Sequence, residues 1–82
     1  MITARQSRAA RALLGWTQET LADKAQVSLT ALKRLESENR LDVYESTRDQ
    51  VRRALEAGGI VLLSTDKGEG VLLLNERSDL PR

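Results

Sequence analysis

Apolar residues recur every three or four positions through the first two thirds of the chain, a period typical of amphipathic helices. Residues that can cap a helix divide this stretch into segments. Thr3, followed three residues later by a glutamine, forms a capping box that predicts a helix over residues 3–14, and Gly15 ends it. Thr17 caps a second predicted helix over residues 17–25. The pattern therefore predicts two short helices joined at a glycine.

Two further helices follow, and each again begins at a capping residue. Only two residues separate the second helix from Ser28, which predicts a third helix that fades near Glu38. Residues 39–45 have the composition of a loop. Ser46, with an aspartate three residues later, predicts a fourth helix over residues 46–57, and two consecutive glycines end it. The second and third helices therefore meet across a tight turn.

Beyond the two glycines the apolar residues come in two short runs. Ile60–Leu63 and Val71–Leu74 are four residues long and are separated by the turn-rich segment 64–70, which favours a β-hairpin. Both runs are apolar on both faces, although a hairpin lying on one small domain needs only one apolar face. We therefore expect the hairpin to pair with that of a second subunit, edge to edge or face to face. The residues predicted to build this homodimer are Ile60, Val61, Leu62, Leu63, Val71, Leu72, Leu73 and Leu74.

Composition limits the chemistry that the chain can perform. Its 82 residues suffice for one small domain, and it has neither cysteine nor histidine. Disulfides, thiolate or imidazole metal sites, and nucleophiles paired with an imidazole base are thereby excluded. The carboxylates occur as helix caps and exposed charges. We therefore expect no enzymatic activity, no metal and no cofactor.

The chain also lacks the sequence features of a membrane or secreted protein. Its longest apolar runs are far below the roughly 20 residues that a spanning helix needs, and no apolar stretch typical of a secretory signal begins it. We therefore expect a cytoplasmic protein without membrane contact.

Charge is distributed unevenly along the chain. Residues 1–41 hold seven Lys or Arg against four Asp or Glu, whereas residues 42–82 hold six against eight. Binding of a phosphate-bearing partner requires at least such a basic excess in one part of the chain. An ordinary solvated surface explains the same excess equally well. Charge alone leaves these alternatives open.

The most specific motif, TQETLADKAQVSLTALKRLE at residues 17–36, joins the second and third predicted helices. Ala22 is small where these helices would cross closely, and the residues suited to fill the wedge between them are Leu21, Val27, Leu32 and Leu35. With RALLGW at residues 11–16, the segment resembles the helix-turn-helix of the Cro and phage-repressor family, also called the xenobiotic response element (XRE) family. The resemblance covers residues 4–57 and implies a mainly α, lambda-repressor-like bundle of about four helices, here followed by the β-hairpin.

The motif departs from the family pattern at two positions. Where the family usually has glycine in the turn, this chain has Gln26, which we expect to adopt a positive φ. Glycine is also common soon after the family's third helix, and here we expect Asn39 to take the left-handed position.

The resemblance implies that the third helix lies in the major groove of double-stranded DNA. Arg34 is the leading candidate for base reading, because its planar guanidinium can donate to O6 and N7 of guanine together. Leu29 and Thr30 carry methyl groups suited to the thymine methyl. The positions carried over as base-reading are Ser28, Leu29, Thr30, Lys33 and Arg34.

Other positions matched to the family carry phosphate contacts or hold the helices together. Gln18 matches a glutamine whose amide, with the start of the second helix, binds a phosphate. Asn39, Arg40 and Arg8 are further phosphate candidates, and a solvated surface explains these three equally well. Arg11 and Glu36 match a salt bridge that joins the first and third helices and fixes their orientation.

Together these features predict three segments: residues 1–58 as the helix-turn-helix domain, residues 59–75 as the hairpin and dimerisation element, and residues 76–82 as a flexible tail. The predicted function is that of a dimeric transcriptional regulator, a repressor or autoregulator of bacterial or phage type, that reads a palindromic operator. The alternative is a protein of the same fold that acts by binding another protein, as antiactivators and some antitoxins do. The low net charge and the leucine at a reading position support that alternative.

Overall fold

In the computed structural model, which describes residues 1–37 and 42–75, four α-helices precede a two-stranded antiparallel hairpin. The predicted mainly α fold with a C-terminal hairpin is confirmed. The elements are α1 (Ala4–Leu14), α2 (Gln18–Ala25), α3 (Leu29–Leu35), α4 (Glu45–Ala57), β1 (Ile60–Thr65) and β2 (Gly68–Leu73). Within the described residues, none of the helices is long and apolar enough to cross a membrane.

The first three helices begin where their capping residues predict. The side-chain oxygens of Thr3, Thr17 and Ser28 each accept a hydrogen bond from the main-chain N–H three residues further on. Thr3 and Gln6 form the complete capping box, because the Gln6 side chain in turn accepts from the Thr3 N–H. Gly15 ends α1 in the left-handed conformation, with φ 73°. These boundaries are confirmed because each rests on contacts within one turn of helix.

The third and fourth helices depart from their predicted bounds. Helix α3 ends at Leu35 rather than fading near Glu38, which lies outside the described residues. The prediction that Ser46 caps α4 is wrong: Tyr44 occupies the N-cap position, and its side chain makes no capping hydrogen bond. The aspartate that suggested this cap, Asp49, instead pairs with two arginines of the following turn.

The turn between α2 and α3 takes the strained conformation that its sequence predicts. Gln26 has φ 58°, and among the described residues it is the one non-glycine residue with positive φ. The following N–H, of Val27, donates to the carbonyl of Ala22 over 3.0 Å, which closes the end of α2. The two helices therefore keep the tight connection of a helix-turn-helix without its usual glycine.

The hairpin is longer and its loop shorter than predicted. Ile60 pairs with Leu73 at one end and Thr65 with Gly68 at the other, so that only residues 66 and 67 form the turn, not the whole segment 64–70. The N–H of Lys67 donates to the Thr65 hydroxyl over 3.1 Å and stabilises this turn. The polar residues near the turn belong to the strands because strands pair through main-chain groups, which every residue type carries.

One core unites the helices and the hairpin. Its buried apolar residues come from all four helices, from the N-terminal segment and from β1, and they include Ile2, Leu21, Leu32, Val51, Leu55 and Ile60. The buried Gln6 amide ties α1 to both strands, since its Nε2 donates to the carbonyls of Leu63 at 2.9 Å and Gly70 at 3.1 Å. The hairpin is thereby fixed on α1 and α4.

Candidate nucleic-acid interface

Helix α3 divides into a buried and an exposed side. Leu32 and Leu35 pack into the core, and Thr30 and Arg34, four residues apart, share the opposite face of the helix. Arg34 and Lys33 have no ion-pair partner among the described residues, so their cationic groups are available to a ligand. The exposed face of α3 consists of the predicted base-reading residues Ser28, Thr30, Lys33 and Arg34.

Leu29 occupies a different position from the other predicted base-reading residues. Its side chain is half-buried and packs against the hydrophobic core. The buried part of its side chain therefore packs the first turn of α3 against the domain. A base contact by Leu29 stays a prediction that concerns only its remaining exposed part.

A groove of about 660 Å³ borders the exposed face of α3 and separates it from the start of α4. Tyr44 stands at its rim with 83% of its surface exposed. Tyr44 and Arg34 line the same groove, and each has a side chain that can donate to an anionic group. The described residues that line it are Ser28, Thr30, Ala31, Arg34, Asp42, Val43, Tyr44 and Thr47.

Directly after α3, the Glu36 carboxylate lies buried at the junction of three helices, with only 4% of the residue exposed. The Arg11 guanidinium donates hydrogen bonds to this carboxylate, from Nη2 to Oε1 at 2.8 Å and from Nε to Oε2 at 3.0 Å. The Ser7 hydroxyl donates to Oε2 at 2.6 Å, and the Gln18 amide donates to Oε1 at 3.0 Å. The Arg11–Glu36 pair named from the resemblance is thus present, and it belongs to a larger network.

The network determines the protonation of Glu36. Burial alone would raise the pKa of this carboxyl group, but hydrogen bonds from Arg11, Ser7 and Gln18, with the positive charge of Arg11, outweigh it and lower the pKa below its usual range. The carboxylate therefore stays ionised in the fold, and α1, α2 and α3 share one buried negative charge.

Gln18 and Arg8, two of the predicted phosphate contacts, both have partners within the protein. The Gln18 Nε2 uses one of its two N–H groups on Glu36, which leaves the other for a ligand. Arg8 is half-buried and donates to the main-chain carbonyl of Glu36. Gln18 stands at the first position of α2, whereas Arg8 is held against the end of α3.

The two remaining phosphate candidates, Asn39 and Arg40, lie outside the described residues, as does the left-handed turn expected at Asn39. Among the residues that the structure describes, no cluster of three or more carboxylates is arranged to hold a metal ion.

Sequence reasoning missed two residues of this region, Ser7 and Tyr44, and one contact, the bond from Gln18 to Glu36. Ser7 lies four residues before Arg11, and that spacing on one helix face could have indicated a shared partner. The bond from Gln18 to Glu36 carries no sequence signal, because it depends on how α2 and α3 cross. Tyr44 is one of two aromatic residues in the chain, and its position just before a polar helix start could have marked it as exposed.

The hairpin residues predicted for dimerisation separate into two groups. Ile60 is 2% exposed and belongs to the core, so its assignment to an intersubunit surface is wrong. Leu62, Val71 and Leu73 pack against the same core on the inner face. The opposite face carries Val61, Leu63 and Leu72, and Leu74 follows the last strand, exposed.

Comparison with known proteins agrees with this geometry. Residues 8–43 match the family model described as helix-turn-helix. The matched segment contains α2, the Gln26 turn and α3, together with most of α1. No curated protein matches the chain. Proteins of this family are DNA-binding regulators and generally not enzymes. The helices, their turn and this match together show a helix-turn-helix similar to that of the Cro and phage-repressor (XRE) family at residues 8–43.

Proposed function

We propose that this protein is a sequence-specific transcriptional regulator, a repressor or autoregulator, that reads a palindromic operator as a homodimer through the major groove. The observation that carries the proposal is the exposed face of α3, where Arg34 and Lys33 have no ion-pair partner among the described residues. A protein that contacts DNA through α3 needs such cations, because base edges and phosphates both accept hydrogen bonds.

Within this proposal the two sides of the interface have different roles. Arg34 and Thr30 on α3 read base edges, whereas Gln18 at the start of α2 positions the protein on a phosphate through its free amide N–H. The Glu36 network supports this division, since it joins α1, α2 and α3 through side chains at fixed distances. The recognition helix and the phosphate contact then approach DNA as one rigid unit.

The proposal implies control by occupancy of the operator. A repressor of this size blocks transcription by covering DNA, and an autoregulator does so on its own promoter when its concentration rises. The double-stranded DNA of a bacterium or its phage lies in the cytoplasm, so we propose the same location for this protein.

Selection of bound duplexes from a random pool tests this function. We expect enrichment of one motif, and binding to the selected duplex that weakens steeply as salt is raised, because bound cations release counterions from the phosphates. Failure to enrich any motif would contradict sequence-specific reading. Binding to another protein with little salt dependence, and none to DNA, would instead support an antiactivator or antitoxin-like role.

A further inference from the structure

Gln26, at the turn between α2 and α3, has a main-chain conformation that is unfavourable for its residue type. Its φ is 58° and its ψ is 45°, in the left-handed region, where the Cβ of an L-amino acid crowds the following carbonyl oxygen. Glycine has no Cβ and takes this conformation without strain. The stability of the turn alone would therefore favour glycine at position 26.

The side chain of Gln26 does not offset this strain within the protein. It is exposed, and its amide makes no hydrogen bond with any other described residue. The end of α2 is closed by main-chain groups, including the Val27 N–H on the Ala22 carbonyl. The Ala25 carbonyl accepts from Gln50 of α4, at 3.5 Å. The Gln26 amide is therefore available to a ligand.

Gln26 extends the exposed face of α3 beyond the start of the helix. From residue 26 to residue 30, exposed and packed side chains alternate. Gln26, Ser28 and Thr30 are exposed, whereas Val27 and Leu29 pack against the core. The Gln26 side chain thus stands in one row with two of the predicted base-reading residues, just ahead of the first turn of α3.

We propose that the Gln26 amide binds a phosphate oxygen of the DNA backbone beside the N-terminal end of α3. A helix in the major groove reaches base edges with its own exposed residues, whereas the chain just before it meets the wall of the groove, where the sugar–phosphate backbone runs. A glutamine amide has two N–H groups that can donate to phosphate oxygens. This inference rests on the docking of α3 in the proposed function and adds a contact residue to it.

The contact explains why a strained residue occupies the turn. A hydrogen bond to a charged group is stronger than one between neutral groups, and this one forms only in the complex with DNA. The backbone strain is present in the free and the bound protein alike, so it lowers the stability of the fold without lowering the affinity for DNA. Replacing Gln26 should therefore change stability and affinity in opposite directions.

Gln26→Gly tests the inference through two measurements on the full-length protein. Its melting temperature should exceed that of the wild type by a few degrees, because the strain is relieved. Fluorescence anisotropy should show weaker binding to the selected operator and to a scrambled duplex, by the same factor of about three to ten. The two factors should agree because phosphates are alike in every sequence.

Gln26→Glu keeps the strain and the length of the side chain but replaces the donor with a carboxylate. Its melting temperature should stay near that of the wild type, and its affinity for both duplexes should fall below that of Gln26→Gly, because the carboxylate repels phosphate. Asn75→Asp makes the same amide-to-carboxylate change at an exposed residue after β2. It should bind both duplexes nearly as tightly as the wild type, which controls for the general effect of one negative charge.

The salt dependence of binding gives a further readout for Gln26→Gly. An uncharged amide releases no counterion when it binds a phosphate, so the loss of affinity should be the same factor at every salt concentration. A loss that disappears as salt is raised would show an effect of charge rather than a lost hydrogen bond, and would overturn the inference.

Four other outcomes would also overturn the inference. The first is unchanged or tighter DNA binding by Gln26→Gly, and the second is a loss confined to the selected operator, which would indicate a base contact. The third is a lower melting temperature for Gln26→Gly, and the fourth is an equal loss of affinity in Asn75→Asp and Gln26→Glu. Circular dichroism checks that each variant folds.

DNA binding by the wild type separates this inference from the proposed function. A wild type that binds no duplex DNA would contradict the proposed regulator, and the phosphate contact with it. A wild type that selects an operator, while Gln26→Gly binds that operator equally well, would leave the regulator standing and contradict the Gln26 contact alone.

Discussion

Arg34 and Glu36 lie two residues apart, and the proposed function gives them opposite tasks. Arg34 is exposed and has no ion-pair partner among the described residues, whereas Glu36 is buried and satisfied by Arg11, Ser7 and Gln18. A residue that contacts DNA must keep its hydrogen-bonding groups free, and one that orients helices must use them within the protein. Substitutions at the two positions should therefore change different measured quantities.

We expect Arg34→Ala to weaken binding to the selected operator by about 1–3 kcal/mol and to relax the preference at one base pair, because a base-edge contact carries sequence information. Competition binding against single-base variants of the operator measures both effects. Lys67→Ala removes the same charge at the exposed hairpin turn and should leave the preference intact. An unchanged motif for Arg34→Ala would contradict the assignment of α3 to the groove.

Gln18→Ala should give the opposite pattern from Arg34→Ala. Phosphates are alike in every sequence, so we expect specific and non-specific duplexes to lose affinity by the same factor. The same competition assay measures this, with a scrambled duplex as the second target. A loss confined to the selected operator would show that Gln18 takes part in base reading.

Glu36→Gln should lower the free energy of unfolding by roughly 3 kcal/mol, because it leaves the largely buried Arg11 cation without its counter-charge. Thermal or urea unfolding measures the change. Glu56→Gln removes a carboxylate from a surface pair with Arg52 and should change stability by less than about 1 kcal/mol. Equal changes in the free energy of unfolding of the two variants would mean that burial does not increase the contribution of the Glu36 network to stability.

The stability difference between the wild type and Glu36→Gln should also depend on pH. The fold lowers the pKa of Glu36, so its ionised form is favoured more in the folded than in the unfolded state. The contribution is complete above the ordinary carboxyl pKa of 4.5 and is lost as the pH falls below it. The free energies of unfolding of the two proteins, measured from neutral pH downward, should therefore converge. A difference that does not change with pH would contradict an ionised Glu36.

At the scale of elements, the end of α4 depends on a glycine for space rather than for its backbone angles. Gly58 has φ −83° in the right-handed region, which any residue adopts. A Cβ there would lie 2.9 Å from Cη2 of the Trp16 ring. The Trp16 ring is itself held by the core and by the Lys24 ammonium, 5.1 Å from its centroid. Close packing between α4 and the α1–α2 connection thus requires glycine at this position.

Gly58→Ala should therefore destabilise the protein by about 1–3 kcal/mol through overpacking, although alanine is ordinarily the better residue in a helix. Chemical denaturation measures the change, and a double-mutant cycle with Trp16→Phe tests its cause. In the Trp16→Phe background, where the outer ring atoms are absent, we expect the penalty to fall to nearly zero. An undiminished penalty would show that the Trp16 ring is not the obstacle.

The elements that sequence predicts well are those whose signals are local. Thr3, Thr17 and Ser28 each bond within their own first turn, so the residue types alone located three helix starts. Helix α4 begins at Glu45, after an N-cap residue, Tyr44, whose side chain makes no capping hydrogen bond, and no local signal marks that start. The polar ends of the strands were predicted to belong to the loop, because their residue types do not reveal that their main chains pair.

The candidate site likewise has features that the sequence predicts and features that only the fold reveals. The exposed positions of α3 follow from helical spacing and from the family resemblance. The bonds from Ser7 and Gln18 to Glu36 depend on how three helices cross, and the role of Gln6 on Leu63 and Gly70 depends on contacts more than 50 residues distant in sequence. Such long-range contacts become visible only in the folded structure.

At the scale of the whole molecule, the hairpin contributes to the stability of the fold and, in the dimer that we propose, to the symmetry of DNA recognition. Its inner face completes the core through Ile60, so removing the hairpin would damage the helix-turn-helix domain itself. A substitution at Leu72 separates the two roles, because Leu72 is half-exposed on the strand face opposite to the one that packs on the core. Leu72→Glu is therefore a suitable variant with which to examine the operator.

The operator selected by the wild type should be two-fold symmetric, with half-site centres about one helical turn apart, roughly 34 Å, because an isologous dimer presents two equivalent recognition helices. Sequencing of the selected pool reads this symmetry directly. The same selection with Leu72→Glu should enrich one half-site without a fixed spacing to a second, since the monomer carries a single α3. A palindrome enriched equally by both proteins would mean that the two copies are joined by another surface, and an asymmetric wild-type motif would contradict a two-fold dimer on DNA.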